Sequence, residues 1–227
     1  MKTIAIIVAG GSGTRFGAQL PKQFLELGGK PILMRTIEAF ERPLDGVGHE
    51  IIVTLPGDQI DYWKDLCREY SFDVHHSLVP GGETRWHSVK NALNSIMDLA
   101  DVDVIAVHDG VRPLASEELI CRVIDAAHRD GAAIPVVMLN DSVRQVVGGI
   151  SHALDRSLLR AVQTPQAFDA RLLMDAYLQP YQPMFTDDAS VVEQLDRSVT
   201  LVEGDPYNLK ITRPMDLALA EYILSHA

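Results

Sequence analysis

The sequence contains few cysteines and few aromatic residues. Of 227 residues, two are cysteine and 6% are aromatic. Cys67 and Cys121 lie far apart and form no C-x-x-C pair, so the pattern gives no sign of a disulfide framework or a cysteine zinc site. Unpaired cysteines of this kind are typical of a reducing compartment, and we expect a cytoplasmic protein.

Positive charge is also in short supply. Lysine and arginine number 20 against 31 aspartates and glutamates, which gives a formal net charge of −11. A chain of this charge is repelled by nucleic acid and by anionic membranes, so neither is an expected partner. A small anionic ligand stays possible, because screening confines the effect of distant charges to about 10 Å and a local cation cluster can dominate.

No apolar run approaches the roughly 20 residues of a membrane span. The N-terminal run, residues 3–9, is at the short limit for a secretory signal and leads into a glycine-rich loop and Arg15. We interpret this run as a strand buried on both faces.

Apolar strand patterns alternate with helical periodicity along the chain, and this predicts one α/β domain over residues 1–227. The sheet is expected to be mostly parallel, with helices on both faces. The predicted strands are residues 3–9, Glu50–Leu55, 73–78, 102–107 and Ala132–Met138. The predicted helices are residues 31–40, 85–97 and segments that follow Asp58, Ser116 and Pro214; Asp58 and Ser116 are expected caps.

One segment departs from the alternation. Residues 142–147 and Ile150–Leu154 flank Gly148 and Gly149, a pattern that predicts a β-hairpin within an arm of about residues 140–157. An isolated hairpin is marginal in water, so something must cover it. A partner subunit and the chain's own sheet are both open possibilities from the pattern.

The stretch VAGGSGTRFGAQLPKQF, residues 8–24, follows the first strand. Glycine-rich loops at this place bind phosphates through backbone N–H groups. The dinucleotide fingerprint G-x-G-x-x-G fails because Phe16 stands at its last glycine. The P-loop pattern G-x-x-x-x-G-K-S/T fails at Phe24 and Pro31.

What remains is G-G-x-G-T-R followed by P-K. Gly10, Gly11 and Gly13 let backbone amides approach an anion, and Arg15 and Lys22 can both contact phosphates. The alternative is a simple chain reversal with two solvated cations.

Asp109 follows the clearest central strand, at the carboxyl edge where open α/β sheets bind ligands. Its carboxylate can contact a ribose hydroxyl, a metal shell or a polyol, and Arg112 can bind a phosphate. The alternative is a local surface ion pair, which contributes about 0–1 kcal/mol.

Several blocks occur together in order: AGGSGTR, PKQF, GGETRWHSV, VHDGVRP, DRSLLRAVQTPQAF, TDDAS and NLKITRPMDL. On these blocks the chain, from Ile4 to about Leu224, resembles the 2-C-methyl-D-erythritol 4-phosphate cytidylyltransferase family of sugar and polyol nucleotidyltransferases. The resemblance implies a Rossmann-like fold. It also implies transfer of CMP from CTP to the polyol phosphate, with release of pyrophosphate, in non-mevalonate isoprenoid biosynthesis.

The resemblance also implies the site residues. The residues it implies for nucleotide binding are Ala9, Gly10, Gly11, Gly13, Gly82, Glu83, Ser88, Asp109 and Gly110. Those it implies for catalysis are Arg15, Lys22, Arg156 and Lys210. Those it implies for binding the polyol phosphate are Asp109, Arg112, Ser142, Arg156, Thr164 and Lys210. The family often has aspartate at position 83 and threonine at position 142.

Mg²⁺ is the implied cofactor. It is held mainly by the CTP phosphates rather than by a dedicated protein site, with Asp109 as the candidate protein ligand. The family's hairpin arm crosses to a neighbouring subunit, which implies a homodimer through the arm. Asp187 and Asp188 could join the site or cap the following helix, and we favour the cap.

Two rival functions match parts of the sequence. A ribitol-5-phosphate cytidylyltransferase shares the fold and most blocks; LPKQFLELG leans toward it, whereas WHSVKNAL and PYNLKITRPMDL favour the methylerythritol enzyme. A noncatalytic nucleotide-binding module predicts an incomplete cation set. Arg15, Lys22, Arg156 and Lys210 are all present, which speaks against the module.

Overall fold

A computed structural model describes residues 1–10, 20–44 and 49–226. Gly11, Gly13 and Arg15, predicted for the phosphate loop, lie outside the described residues. In the described part of the chain, none of the helices combines the length and the apolar character of a transmembrane span.

The strands and helices alternate as the sequence predicts over most of the chain. The strands are β1 (Thr3–Val8), β2 (Glu26–Leu27), β3 (Lys30–Pro31), β4 (Glu50–Leu55), β5 (Ser77–Pro80), β6 (Val104–Asp109), β7 (Ala132–Met138), β8 (Val143–Val147), β9 (Ile150–Leu154), β10 (Arg160–Val162), β11 (Gln166–Asp169) and β12 (Thr200–Glu203). The helices are α1 (Ile32–Leu44), α2 (Ile60–Glu69), α3 (Arg85–Ser95), α4 (Glu117–Asp130), α5 (Ala170–Ala176), α6 (Asp188–Glu193) and α7 (Pro214–Leu224).

Within the described residues the main sheet has eight strands and is mostly parallel. At its centre β1 pairs in parallel with β4 and with β6, and β4 pairs in parallel with β5. On the far side of β6, strands β10 and β11 run antiparallel to β7, and β12 runs parallel to it. The parallel register of β1 and β6 sets Val8 beside Asp109, so both strands end together.

Helices cover both faces of the sheet, as predicted. Ala5 and Ile7 of β1 belong to one core cluster with α1 and α4, whereas Ile4 and Ile6 belong to a second cluster with α3 and α5. Successive strand residues point to opposite faces, so a strand buried on both sides must be apolar throughout. The uninterrupted apolar run of β1 therefore reflects its central place in the sheet.

Several local predictions differ from the structure. Asp58 does not cap α2; a 3₁₀ turn, Gly57–Gln59, precedes the helix, and Gln59 at the cap position makes no side-chain cap bond. The strand predicted over residues 73–78 is β5, which spans Ser77–Pro80. His76 lies just before this strand, and its ring Nε2 accepts a hydrogen bond from the indole N–H of Trp63 over 2.9 Å.

Other caps are confirmed. Ser116 accepts from the backbone N–H of Leu119 at the start of α4. Asp187 accepts from the backbone N–H of Ser190 and caps α6.

The hairpin forms as predicted but stands apart from the main sheet. β8 and β9 pair antiparallel from Val143 with Leu154 to Val147 with Ile150. Gly148 and Gly149 at the turn have φ of +57° and +82°, the left-handed values that a two-residue hairpin turn of type I′ requires. Both strands are largely exposed, so the described chain does not fold its own sheet over them.

Candidate active site

A cleft opens where β1 and β6 end, at the carboxyl edge of the parallel part of the sheet. The residues that line it are Val8, Ala9, Gly10, Lys22, Gln23, Gly82, Glu83, Thr84, Arg85, Ser88, Asp109, Val111 and Lys210. The predicted residues that it brings together are Ala9, Gly10, Lys22, Gly82, Glu83, Ser88, Asp109 and Lys210. They come from five separate segments, which the topology joins at one edge.

Asp109 is the electrostatic centre of the cleft. Its carboxylate is nearly buried and contacts three cationic side chains. Lys210 Nζ lies 3.0 Å and Arg112 Nε 3.2 Å from Oδ2, while Arg85 Nε lies 3.6 Å from Oδ1. Burial alone raises the pKa of Asp109, but attraction to Arg85, Lys210 and Arg112 outweighs it and holds the pKa well below its usual range. Asp109 is therefore a carboxylate at any physiological pH.

A series of buried hydrogen bonds through Thr164 and His108 fixes the backbone at Asp109. The backbone N–H of Asp109 donates to Oγ1 of Thr164 over 3.0 Å, and this hydroxyl lies 3.1 Å from Nδ1 of His108. His108 Nε2 lies 3.0 Å from the carbonyl of Arg112. Burial lowers the pKa of His108 to about 4, so its ring is neutral at pH 7 and can donate from Nε2 while accepting at Nδ1. The hydroxyl of Thr164, a residue predicted to bind substrate, thus accepts a hydrogen bond from the backbone N–H of Asp109.

The segment before α7 sets Lys210 on the cleft wall. The backbone N–H of Ile211 donates to the carbonyl of Val111 over 2.9 Å. In the first turn of α7, the side chain of Asp216 accepts from the backbone N–H groups of Thr212 and Arg213. The three residues that follow Lys210 are thus each held by a backbone N–H bond, which fixes the chain on its C-terminal side.

Lys22 reaches the cleft from a short 3₁₀ turn, Lys22–Phe24. Phe24 is buried, with its ring 5.2 Å from that of Tyr62 and 6.1 Å from that of Trp63. Gln23 donates to Gln59 over 2.9 Å. These contacts tie the turn to α2 and to the 3₁₀ turn before it, so the position of Lys22 depends on the aromatic packing of Phe24.

The turn before α3 presents backbone groups to the cleft. A side chain on Gly82 would place its Cβ 2.3 Å from Cβ of His87, so only glycine fits. The backbone N–H of Gly82 donates to Oγ of Ser88, which in turn donates to the carbonyl of Thr84. Ser88 therefore holds the turn in shape, and Thr84 caps α3.

Arg85 is a cleft residue that sequence reasoning missed. Besides Asp109, its guanidinium contacts Asp188, with Nη2 and Oδ2 2.6 Å apart. Asp188 is fully buried and is not the helix cap; Asp187 is. No local signal in the sequence links Arg85 to Asp188, because they are 103 positions apart.

Other predicted residues lie beside the cleft rather than on it. Gly110 packs under Ala9, since a Cβ at position 110 would lie 2.9 Å from Cβ of Ala9. Ser142 and Arg156 are exposed next to the hairpin, where Arg156 donates to the carbonyl of Asn140. Arg112 is buried and donates to the carbonyl of Asn208 over 2.7 Å.

A second cleft adjoins the first. Its lining includes Arg112, Asn140, Gln163, Asn208 and Lys210. Lys210 therefore borders both clefts. Arg112, which contacts the same oxygen of Asp109, lines the second cleft.

The described residues hold no group of three carboxylate, histidine or cysteine side chains that could bind a metal ion. Asp109, the candidate ligand, already has both oxygens in contact with cations. A divalent ion beside it would face three positive side chains, so this carboxylate does not fit a metal site.

Comparisons with known proteins agree on one family. The family model described as 2-C-methyl-D-erythritol 4-phosphate cytidylyltransferase matches residues 3–226. A relative of that name from Bacteroides fragilis is 49% identical over 220 residues, covering 97% of this chain and 98% of its own.

Solved structures give the same result. That of 2-C-methyl-D-erythritol 4-phosphate cytidylyltransferase from Thermus thermophilus has a TM-score of 0.78 at 33% identity, covering 99% of this chain and 100% of its own. That of 4-diphosphocytidyl-2C-methyl-D-erythritol synthase from Anaerococcus prevotii has a TM-score of 0.80 at 32% identity, covering 98% of both chains.

Proposed function

The chain belongs to the 2-C-methyl-D-erythritol 4-phosphate cytidylyltransferase family, and from this we propose that it transfers CMP from CTP to 2-C-methyl-D-erythritol 4-phosphate. A phosphate oxygen of the polyol forms a bond to the α-phosphorus of CTP. The bond from that phosphorus to the bridging oxygen of the β-phosphate breaks, and pyrophosphate leaves. The observation that carries the proposal is the cleft in which Lys22, Lys210 and the backbone of Gly10 converge.

Charge stabilisation is the main task of such a site, because phosphoryl-type transfer needs little covalent chemistry from the protein. In our proposal the Lys22 and Lys210 ammonium groups contact the phosphates and offset the charge that grows on the leaving pyrophosphate. Gly10 lets backbone amides approach the same oxygens. Arg15, Gly11 and Gly13 are proposed to extend this cradle.

The cytosine is proposed to lie against the turn at Gly82 and Glu83. Backbone donors and acceptors there can pair with the edge of a pyrimidine. Ser88 holds this turn in place, because its hydroxyl oxygen accepts a hydrogen bond from the backbone N–H of Gly82.

The polyol phosphate is proposed to occupy the second cleft, with Lys210 between the two substrates. Lys210 borders both clefts, and Arg112 provides a second positive charge beside it. Asp109 is proposed to hold Lys210 in place and to contact a hydroxyl of the bound substrates. This arrangement brings the attacking oxygen near the α-phosphorus, which removes much of the entropic cost of reaction.

Mg²⁺ is proposed to enter as the counterion of the CTP triphosphate. Mg²⁺ usually keeps several waters and binds substrate phosphates rather than an all-protein cage. The crowding of cations at Asp109 is consistent with this, and no step is assigned to a protein-bound metal.

The hairpin arm is proposed to dimerise the protein. Its apolar residues Val146, Val147 and Ile150 are each more than 60% exposed, and such a surface is unfavourable in water without cover. A second copy would cover it and would bring Ser142 and Arg156 to the neighbouring polyol site. The proposed location is the cytoplasm, where CTP is supplied.

The direct test measures pyrophosphate release from CTP and Mg²⁺ with each polyol phosphate. We expect turnover with 2-C-methyl-D-erythritol 4-phosphate to exceed that with ribitol 5-phosphate. Lys210→Met should lower kcat by about 10²–10³-fold, as removal of one charge-stabilising donor does in acyl transfer. Lys64→Met, which removes an exposed lysine on α2, is the matched control and should behave as wild type.

Faster release with ribitol 5-phosphate would assign the rival substrate. Binding of CTP without release of pyrophosphate for either acceptor would favour the noncatalytic module.

A further inference from the structure

A chain of polar contacts runs from the interior of the protein to the carboxylate in the cleft. Tyr177 donates its phenolic hydrogen to Oδ1 of Asp188 over 2.7 Å, and Arg85 donates from Nη2 to Oδ2 over 2.6 Å. On its other side the same guanidinium has Nε 3.6 Å from Oδ1 of Asp109. Arg85 thus bridges two carboxylates, one in the interior and one in the cleft.

The interior end of this chain is fixed. Asp188 is fully buried, and the backbone N–H groups of Asp188 and Ala189 both donate to Oε1 of Gln166 over 3.0 Å. Tyr177 is also buried and stacks on Trp86 with ring centroids 5.3 Å apart. A buried charge is tolerated only when paired and hydrogen-bonded, so Asp188 has little freedom to move.

The cleft end divides its cations between two oxygens. Arg85 faces Oδ1 of Asp109, whereas Arg112 and Lys210 face Oδ2. The last torsion of an aspartate is broad, so the carboxylate can turn unless a partner holds each oxygen. The Arg85 guanidinium, itself held by the fixed Asp188, supplies such a partner for Oδ1 of Asp109.

From this geometry we infer that Arg85 and Asp188 are positioning residues, which hold the Asp109 carboxylate in the orientation that keeps Lys210 on the cleft wall. The inference rests on the proposed cytidylyl transfer, in which Lys210 contacts the reacting phosphates. Arg85 acts through Asp109, and Asp188 acts through Arg85. Neither needs to touch substrate for its loss to slow the chemical step.

The test uses the double variant Arg85→Met/Asp188→Asn. Removing both charges together avoids leaving an unpaired buried ion, which would itself strongly destabilise the fold. We expect a folded protein whose kcat falls about tenfold or more, because a misplaced catalytic group loses its alignment with the reacting atoms. The KM for CTP should change by less than about twofold, since no binding contact is removed.

Two further variants provide an intermediate case and a control. Arg85→Lys keeps one charge but cannot bridge two carboxylates, so its kcat should fall between wild type and the double variant. Arg129→Met/Asp130→Asn removes an exposed pair at the end of α4 and should leave kcat and KM unchanged.

A purely structural role predicts a lower melting temperature with an unchanged kcat for the folded protein, and that result would overturn the inference. A second readout does not need turnover. The rate at which an amine-specific reagent modifies Lys210, followed by mass spectrometry, should rise in the double variant because the ammonium loses its fixed partner. Equal rates in both proteins would refute the inference, whereas wild type that is inert with both polyol phosphates would refute only the proposed function.

Discussion

Replacement of Asp109 by asparagine should both destabilise the fold and disable the cleft. The carboxylate is about nine-tenths buried and pairs with Arg85, Arg112 and Lys210. Arg112 is equally buried and Arg85 largely so, whereas Lys210 is 43% exposed and its share is screened by solvent. Asparagine would leave two guanidinium groups without their shared anion. Breaking a buried pair in this way costs about 3–5 kcal/mol.

The expected loss lies near the lower end, about 3 kcal/mol, because Arg85 keeps Asp188 and Arg112 keeps the carbonyl of Asn208. For a chain of this size that corresponds to a fall in melting temperature of roughly 6–12 °C. The assay is urea unfolding and thermal unfolding of wild type and variant at pH 7. Asp61→Asn, which removes an exposed carboxylate on α2, is the control and should melt with wild type.

The same contribution has a defined pH dependence. The folded-state pKa of Asp109 is depressed, so its stabilisation is fully present above the unfolded-state pKa of about 3.9. It is lost as the pH falls below that value toward the folded-state pKa. The gap in unfolding free energy between wild type and Asp109→Asn should therefore be constant from pH 5 to pH 7, by the same linkage, and should narrow below about pH 4. A gap under about 0.5 kcal/mol at pH 7 would refute the claim that the carboxylate anchors the cations.

Three further predictions concern the turn at Gly82, the hairpin turn and the metal ion. Gly82→Ala should raise the KM for CTP in steady-state assays, because its Cβ would overlap Cβ of His87 and shift the turn; an unchanged KM would remove this turn from the nucleotide site. Gly148→Ala/Gly149→Ala should weaken the proposed dimer in analytical ultracentrifugation, since both positions need positive φ, and a monomeric wild type would contradict the dimer outright. Chelation of Mg²⁺ by EDTA should abolish turnover but leave the melting temperature of the nucleotide-free protein unchanged, and a lower melting temperature would instead reveal a structural metal.

The sequence predicts strands β1, β4, β6 and β7 because apolar runs alternate with helical periodicity there, whereas β10, β11 and β12 of the same sheet were not predicted. The run at β1 and the position of Asp109 at the end of β6 are enough to locate the cleft edge. Boundaries were less predictable where a turn competes with a cap, as Gly57–Gln59 does before α2. Propensity alone does not distinguish a 3₁₀ turn from the first turn of an α-helix.

The site was predicted as a set of residue types but not as a network. Sequence blocks single out Lys22 and Lys210 as cations, yet nothing local indicates that Arg85 reaches Asp188 or that Thr164 supports Asp109. These contacts form between segments that are far apart in the sequence and that the fold brings together at the sheet edge. They could therefore not be predicted from the spacing of residues in the sequence.

The most direct test is a crystal structure of the protein with CTP and Mg²⁺. We expect the triphosphate between the Nζ atoms of Lys22 and Lys210, each within hydrogen-bond distance of a phosphate oxygen, with the cytosine against the turn at Gly82. A nucleotide bound elsewhere, with both ammonium groups directed into solvent, would contradict the proposed site.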